Sequence, residues 1–146
     1  MRNALAAALL TSVVALVPAA CAQSPARAAA PADHYKVVFQ VSDGDPAKWN
    51  LALNNARNVQ VELGMDNVDV EIVAYGPGLP MLKADSKVSP RLTSAMAQGV
   101  TLLACENTMH NTHVERSQIQ GGVKFVDAGV VHIMKREREG WSYVRP

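Results

Sequence analysis

The chain has 146 residues, 14 lysines and arginines against 13 aspartates and glutamates, and apolar side chains at 49% of positions. A near-neutral balance without a basic block excludes a dedicated nucleic-acid binder, and without a basic amphipathic stripe it excludes a membrane-surface helix. The length suits one ordinary domain.

The N-terminus reads as a leader. Arg2 precedes a weakly polar to apolar run from Ala4 to Val17, followed by Pro18 and the small residues Ala19 to Ala22. That order matches a secretory signal peptide over residues 1–22, cleaved near Ala22. The run is shorter than the roughly 20 residues of a membrane span. The alternative is a lipoprotein acylated at Cys21, but Pro18 stands where a lipobox prefers a branched apolar residue. Residues 23–33, rich in alanine and proline, read as a disordered lead-in. Cleavage leaves 124 residues with thirteen basic and thirteen acidic side chains. The expected location is periplasmic or secreted, with no membrane association after cleavage. Cys105 is then the one cysteine left, without an internal partner for a disulfide.

Strands and helices alternate along residues 34–146. His34 to Val41 is nearly continuous in apolar residues at its centre, as in a strand buried on both faces. Asp45 and Pro46 form an N-cap and a first helical residue. Trp49, Ala52, Leu53, Ala56, Val59 and Leu63 follow at helical spacing until Gly64. Val68 to Tyr75 is a second strand, broken by Gly76 to Pro80, and Met81 to Lys87 holds a helical turn. A helix over 90–98, a third strand over Val100 to Ala104, and a helix from Glu106 to about Arg116 come next. Gly121-Gly122 precedes a fourth strand, Val123 to Val126. Asp127 is placed to cap a helix over 128–139 with Val130, Val131, Ile133 and Met134 on its inner face, and Trp141 to Arg145 closes the chain as a strand. Such alternation predicts an α/β fold, a three-layer α/β/α sandwich around a mostly parallel sheet of about five strands.

In sheets of that kind ligands bind beyond the carboxyl ends of the strands. Three segments reach that crevice: Asp43 to Asp45, Gly76 to Gly78, and Cys105 to Thr108. Cys105 stands between an apolar strand and a helix start, where unpaired N–H groups and the helix dipole favour a thiolate. Asn107 and Thr108 can cap the helix or donate to a group held on the sulfur, whereas Glu106 disfavours negative charge beside it. The alternative is an inert core cysteine, since free cysteine is among the most buried residue types.

Ala104 to Met109, "ACENTM", resembles the AC-x-NTM signature of the DsrE/DsrF-like proteins. The ending Gly140 to Pro146, "GWSYVRP", resembles a small branch of that family with a GWxYxxP terminus. "AYGPGL", Ala74 to Leu79, resembles its loop after the second strand, and "AGVVHIMKREREGW" its last helix. The likeness runs from about Tyr35 to the end. It implies a compact parallel α/β domain, a homo-oligomer, and membership of sulfur relays in which a cysteine accepts sulfane sulfur as a persulfide and passes it to a partner. By position the acceptor is Cys105, with Asn107, Thr108, Gly76 and Gly78 as its loop residues and a sulfur-donor or acceptor protein as partner. Many relatives have a histidine where this chain has Tyr75, and the relay proteins proper are cytoplasmic.

Other chemistry is poorly supported. Cys105, His110 and His113 follow C-x4-H-x2-H, which matches no strong metal motif, even with Glu106 and His132 added. Both histidines read as surface residues on a polar helix, and His34 as structural. Gly76-Pro77-Gly78 lacks the lysine and spacing of a phosphate loop. Asp43 and Asp45 read as turn and cap residues rather than a carboxylate pair. No cofactor and no metal ligand are assigned. Trp49, Met81, Met96, Met109 and Met134 read as core or interface residues. The resulting expectation is an exported sulfur-handling protein using Cys105, against a non-catalytic binding module in which Cys105 is only packed.

Overall fold

A computed structural model of the protein describes residues 34–146. The leader, the lead-in and Cys21 lie outside the described residues. Five strands form one sheet: β1 (Tyr35–Val41), β2 (Val68–Ala74), β3 (Thr101–Cys105), β4 (Lys124–Val126) and β5 (Ser142–Val144). Their order is β4-β3-β2-β1-β5, and every pairing is parallel. Four α-helices connect them: α1 (Pro46–Leu63), α2 (Ser89–Ala97), α3 (Glu106–Asn111) and α4 (Gly129–Arg138). No helix among the described residues is long and apolar enough to cross a membrane.

Side-chain alternation divides the sheet into two faces. Val37, Phe39 and Val41 of β1, Ile72 and Ala74 of β2, and Leu102 and Ala104 of β3 turn to one face, where they pack with Trp49, Ala52, Leu53 and Ala56 of α1 and Leu92 of α2. Val38, Val73 and Leu103 turn to the other face and meet Ile133 of α4. Cys105 follows Leu103 by two residues and shares that second face.

Local signals set the first helix. The Ala47 N–H donates to Asp45 Oδ1 at 2.8 Å, Pro46 starts the helix, and Gly64 ends it at φ 87°. Trp49 Nε1–H ties the start of α1 to the first loop by donating to the Asp43 carbonyl at 2.6 Å.

Three sequence expectations need correction. The turn after β2 comes earlier than 81–87, as a 3₁₀ segment over Gly76–Leu82 that buries Leu79, Met81 and Leu82. The helix after Cys105 stops at Asn111, not near Arg116. His113 adopts a left-handed φ of 52° there, and a separate 3₁₀ turn over Arg116–Gln118 begins with a capping box between Glu115 and Gln118. Finally, the inner face of α4 is not Val130, Val131, Ile133 and Met134. Ile133 is buried, but Val130, Val131 and Met134 are 52%, 43% and 58% exposed. His132 and Arg136 turn to the sheet instead, because both bond to Glu71 of β2.

Candidate functional site

The three carboxyl-end segments named from sequence do come together. The Tyr75 N–H donates to the Val41 carbonyl at 3.1 Å, joining the end of β2 to the end of β1. Gly78 lies so close to Val41 that a Cβ would stand 2.2 Å from its carbonyl oxygen. The Gly76 N–H donates to Thr108 Oγ1 at 2.9 Å, tying the second loop to the third. Gly76 has φ 52°, a left-handed conformation that glycine adopts without strain. At the edge, Arg145 Nη2 lies 3.4 Å from Asp43 Oδ2.

Cys105 sits in this assembly as the last residue of β3, 4% exposed. Its sulfur does not face the start of α3, the short helix that follows it. The Gly129 N–H, at the first residue of α4, donates to Cys105 Sγ at 3.3 Å. The Asp127 carbonyl lies 4.0 Å from the same sulfur and can accept from a protonated thiol. A thiolate would keep the Gly129 contact and lose the other. α4 has ten residues, and its unpaired first-turn N–H groups carry the positive end of the helix dipole. The anion-favouring terminus is therefore α4, not α3.

Tyr75 closes over this contact. A Cβ on Gly129 would stand 2.9 Å from the Tyr75 ring, so the ring and the helix start touch closely only because residue 129 is glycine. Burial pushes the Tyr75 phenol up, and Tyr143 and Cys105 add to this while Arg145 opposes it. Tyr143 donates its hydroxyl to Gln40 Oε1 at 2.7 Å, and Gln40 donates to Ser42 Oγ at 3.0 Å.

The other residues named from sequence serve the loop rather than the sulfur. Thr108 uses its hydroxyl to accept from Gly76, and Asn107 is exposed while its backbone N–H donates to the Asp127 carbonyl at 3.0 Å. Asp127 thus holds the third loop through its carbonyl and does not cap α4, whose N-cap is Ala128 without a side-chain bond. Glu106 is ion-paired with Arg116, whose guanidinium lies 4.5 Å from the Phe125 ring centre.

The proposed metal set is not brought together. His110 and His113 are exposed, His132 bonds Glu71, and His34 pairs with Asp69 at 3.1 Å. Among the described residues there is no group of three or more histidine, cysteine, aspartate or glutamate side chains that could hold a metal ion. A groove of about 250 Å³ runs beside the start of α4, lined by Phe125, Val126, Asp127, Ala128, Val131 and His132. It is smaller than the usual ligand cavity of roughly 300–1,000 Å³.

Sequence reasoning missed Gly129, whose contribution is a backbone N–H. It also missed Glu71, which reads there as the polar half of an alternating strand and is 6% exposed in the fold.

No protein-family model and no curated protein matches the chain. Solved structures do. The fold is similar to that of a conserved protein of unknown function, BT1422 from Bacteroides thetaiotaomicron, at TM-score 0.60 and 15% identity over 80% of this chain and 99% of that one. It is more similar to a protein of unknown function, MTH1491 from Methanobacterium thermoautotrophicum, at TM-score 0.74 and 37% identity over 77% of this chain and 99% of that one. At that identity and coverage, the chain belongs to the same family as the Methanobacterium protein.

Proposed function

We propose that this chain is an exported sulfur-handling protein of the DsrE/DsrF-like kind, in which Cys105 accepts and passes on sulfane sulfur. The observation that carries the reading is the Gly129 N–H on Cys105 Sγ, at the carboxyl end of a parallel sheet. In the first step the Cys105 thiolate attacks the outer sulfur of a donor persulfide. A new S–S bond forms on Cys105, the donor's S–S bond breaks, and the donor leaves as a thiolate. In the second step a partner thiolate attacks the outer sulfur of the Cys105 persulfide, and Cys105 leaves as a thiolate. The oxidation level is conserved and no cofactor is consumed. The Gly129 N–H serves both steps, because it bonds the negative form of Cys105 that attacks first and leaves last.

Export rests on residues 1–22. Assembly as a homo-oligomer, which the resemblance implies, would have an apolar surface in Val130, Val131 and Met134 of α4. The donor and acceptor proteins must reach the sulfur of a residue that is 4% exposed, so transfer requires Tyr75 or the third loop to yield.

That burial favours the second reading, a non-catalytic binding module in which Cys105 only packs. Intact mass separates the two. Protein isolated without reductant, or exposed to a low-molecular-weight persulfide, should gain the mass of one sulfur atom, lose it to a thiol reductant, and gain nothing as Cys105→Ser. Reversal matters because a sulfinic acid adds nearly the same mass and resists reduction. A chain that stays unmodified after exposure to the donor belongs to the second reading.

A further inference from the structure

The sulfur contact depends on where α4 lies along the sheet, and little apolar packing fixes that. α4 buries only Gly129 and Ile133. Ile133 meets Val38, Val73 and Leu103, and such contacts are non-directional, so they resist sliding weakly.

The directional contact comes from Glu71. This carboxylate, in the middle of β2, faces α4 from inside the protein. Its Oε2 lies 2.7 Å from His132 Nε2 and accepts from Arg136 Nε at 3.0 Å, while Oε1 accepts from Arg136 Nη2 at 2.6 Å. Arg136 is braced in turn: it donates from Nη1 to Glu139 Oε2 at 2.7 Å, and its guanidinium lies 4.6 Å from the Trp141 ring centre. His132 and Arg136 are one turn apart on the same side of α4, so one carboxylate grips two successive turns. A two-pronged arginine contact tolerates little displacement. His132 lies three residues from Gly129, about 4.5 Å along the axis at the helical rise, so the grip is one turn from the N–H that meets the sulfur.

We propose that Glu71 is a positioning residue for Cys105: by holding His132 and Arg136 it sets the axial place of α4, and so keeps the Gly129 N–H on the sulfur. This deepens the reading of Cys105 as a reactive thiol and rests on it. Glu71 bonds His132 and Arg136 and makes no hydrogen bond to the sulfur.

The test is the ultraviolet titration of the Cys105 thiolate in the full chain, measured against a Cys105→Ser blank. Glu71→Gln keeps the volume and removes the charge. Its midpoint should move upward, so that the thiolate fraction below the midpoint falls about five-fold, within the range expected for losing a helix-terminus contact. Ile133→Val loosens the apolar contact without touching the grip and should leave the midpoint in place. Should Glu71→Gln not fold, the double variant Glu71→Leu with Arg136→Met removes both partners of the ion pair, leaves no charge uncompensated, and should shift the midpoint the same way. An unmoved midpoint in a folded Glu71 variant, an equal shift in Ile133→Val, or a thiol that never ionises in either protein overturns the proposal. Sulfur loading is read separately. A wild type that titrates as expected but never takes up sulfur ends the carrier reading and leaves the positioning role standing.

Discussion

The two faces of the sheet are built differently. Under α1 and α2, together with the 3₁₀ turn at 76–82, the core is large: Phe39, Ile72, Leu79, Met81, Leu82, Leu92 and Leu102 are all fully buried. Under α4 the apolar cluster is Val38, Val73, Leu103 and Ile133, with Tyr75, Val126 and Trp141 at its margin. That second face also holds the buried carboxylate and the buried cysteine, and its helix leaves three apolar side chains exposed. The difference separates two tasks. One face supplies most of the area removed from water, which is what stabilises a domain. The other can keep polar groups in costly places because the fold does not depend on its apolar burial.

Truncation on each face tests the division most strongly. Leu92→Ala should cost about 4 kcal/mol, since a fully enclosed leucine leaves a cavity that neighbours fill poorly. Ile133→Ala should cost about 2 kcal/mol, the low end for such changes, because its cluster is small and bordered by exposed residues. Chemical-denaturant midpoints of the two variants measure both. Equal losses would mean that α4 carries as much of the fold as α1 and α2, and the division would fail.

A smaller effect is expected where α4 meets Tyr75. Alanine in place of Gly129 suits a helix, but its Cβ would press on the Tyr75 ring at 2.9 Å. Overpacking of this kind costs typically 1–3 kcal/mol, partly offset by the better helix former, so a net loss of about 1 kcal/mol is expected. The double variant with Tyr75→Ala should lose less than the sum of the two single losses, because the ring contact is then gone and only the Cβ of residue 75, at 3.1 Å, remains. That cycle isolates the contact. Additive losses would place the strain elsewhere, and Tyr75 would not be the cover of the site.

The first face was far more legible in the sequence than the second. Val37-Val38-Phe39 and Leu102-Leu103-Ala104 are apolar on both sides, so they read as central parallel strands, and Asp45-Pro46 and Gly64 bracket α1. The position of Cys105 at a strand end was legible for the same reason, since an apolar run stops there. On the second face each signal is ambiguous. Val130, Val131, Ile133 and Met134 fit an inward stripe by spacing, but spacing cannot show that a carboxylate on another strand turns the helix toward His132 and Arg136. Glu71 itself follows Asp69 in simple alternation, and nothing local distinguishes the exposed acid from the buried one. The pairing spans 61 residues to His132 and 65 to Arg136, so only the fold reveals it. The Gly129 N–H leaves no side-chain trace at all.

An effect of similar size tests whether the faces are independent. Asp45 caps α1 by accepting from the Ala47 N–H at 2.8 Å, and Asp45→Ala should lower stability by about 1 kcal/mol, while Asp45→Asn, which keeps an acceptor, should cost only a few tenths. Thermal or denaturant melts resolve that difference. Neither change should alter the thiolate titration of Cys105, because α1 packs on the opposite face of the sheet. One route between them is the first loop, where Asp43 binds the Trp49 indole through its carbonyl and lies within 3.4 Å of Arg145 through its carboxylate. Arg145 in turn lowers the Tyr75 phenol that burial raises. If Asp45→Ala does shift the Cys105 midpoint, the first loop transmits α1 into the sulfur site through Asp43 and Arg145, and the carboxyl-end crevice works as one unit rather than as a property of the α4 face.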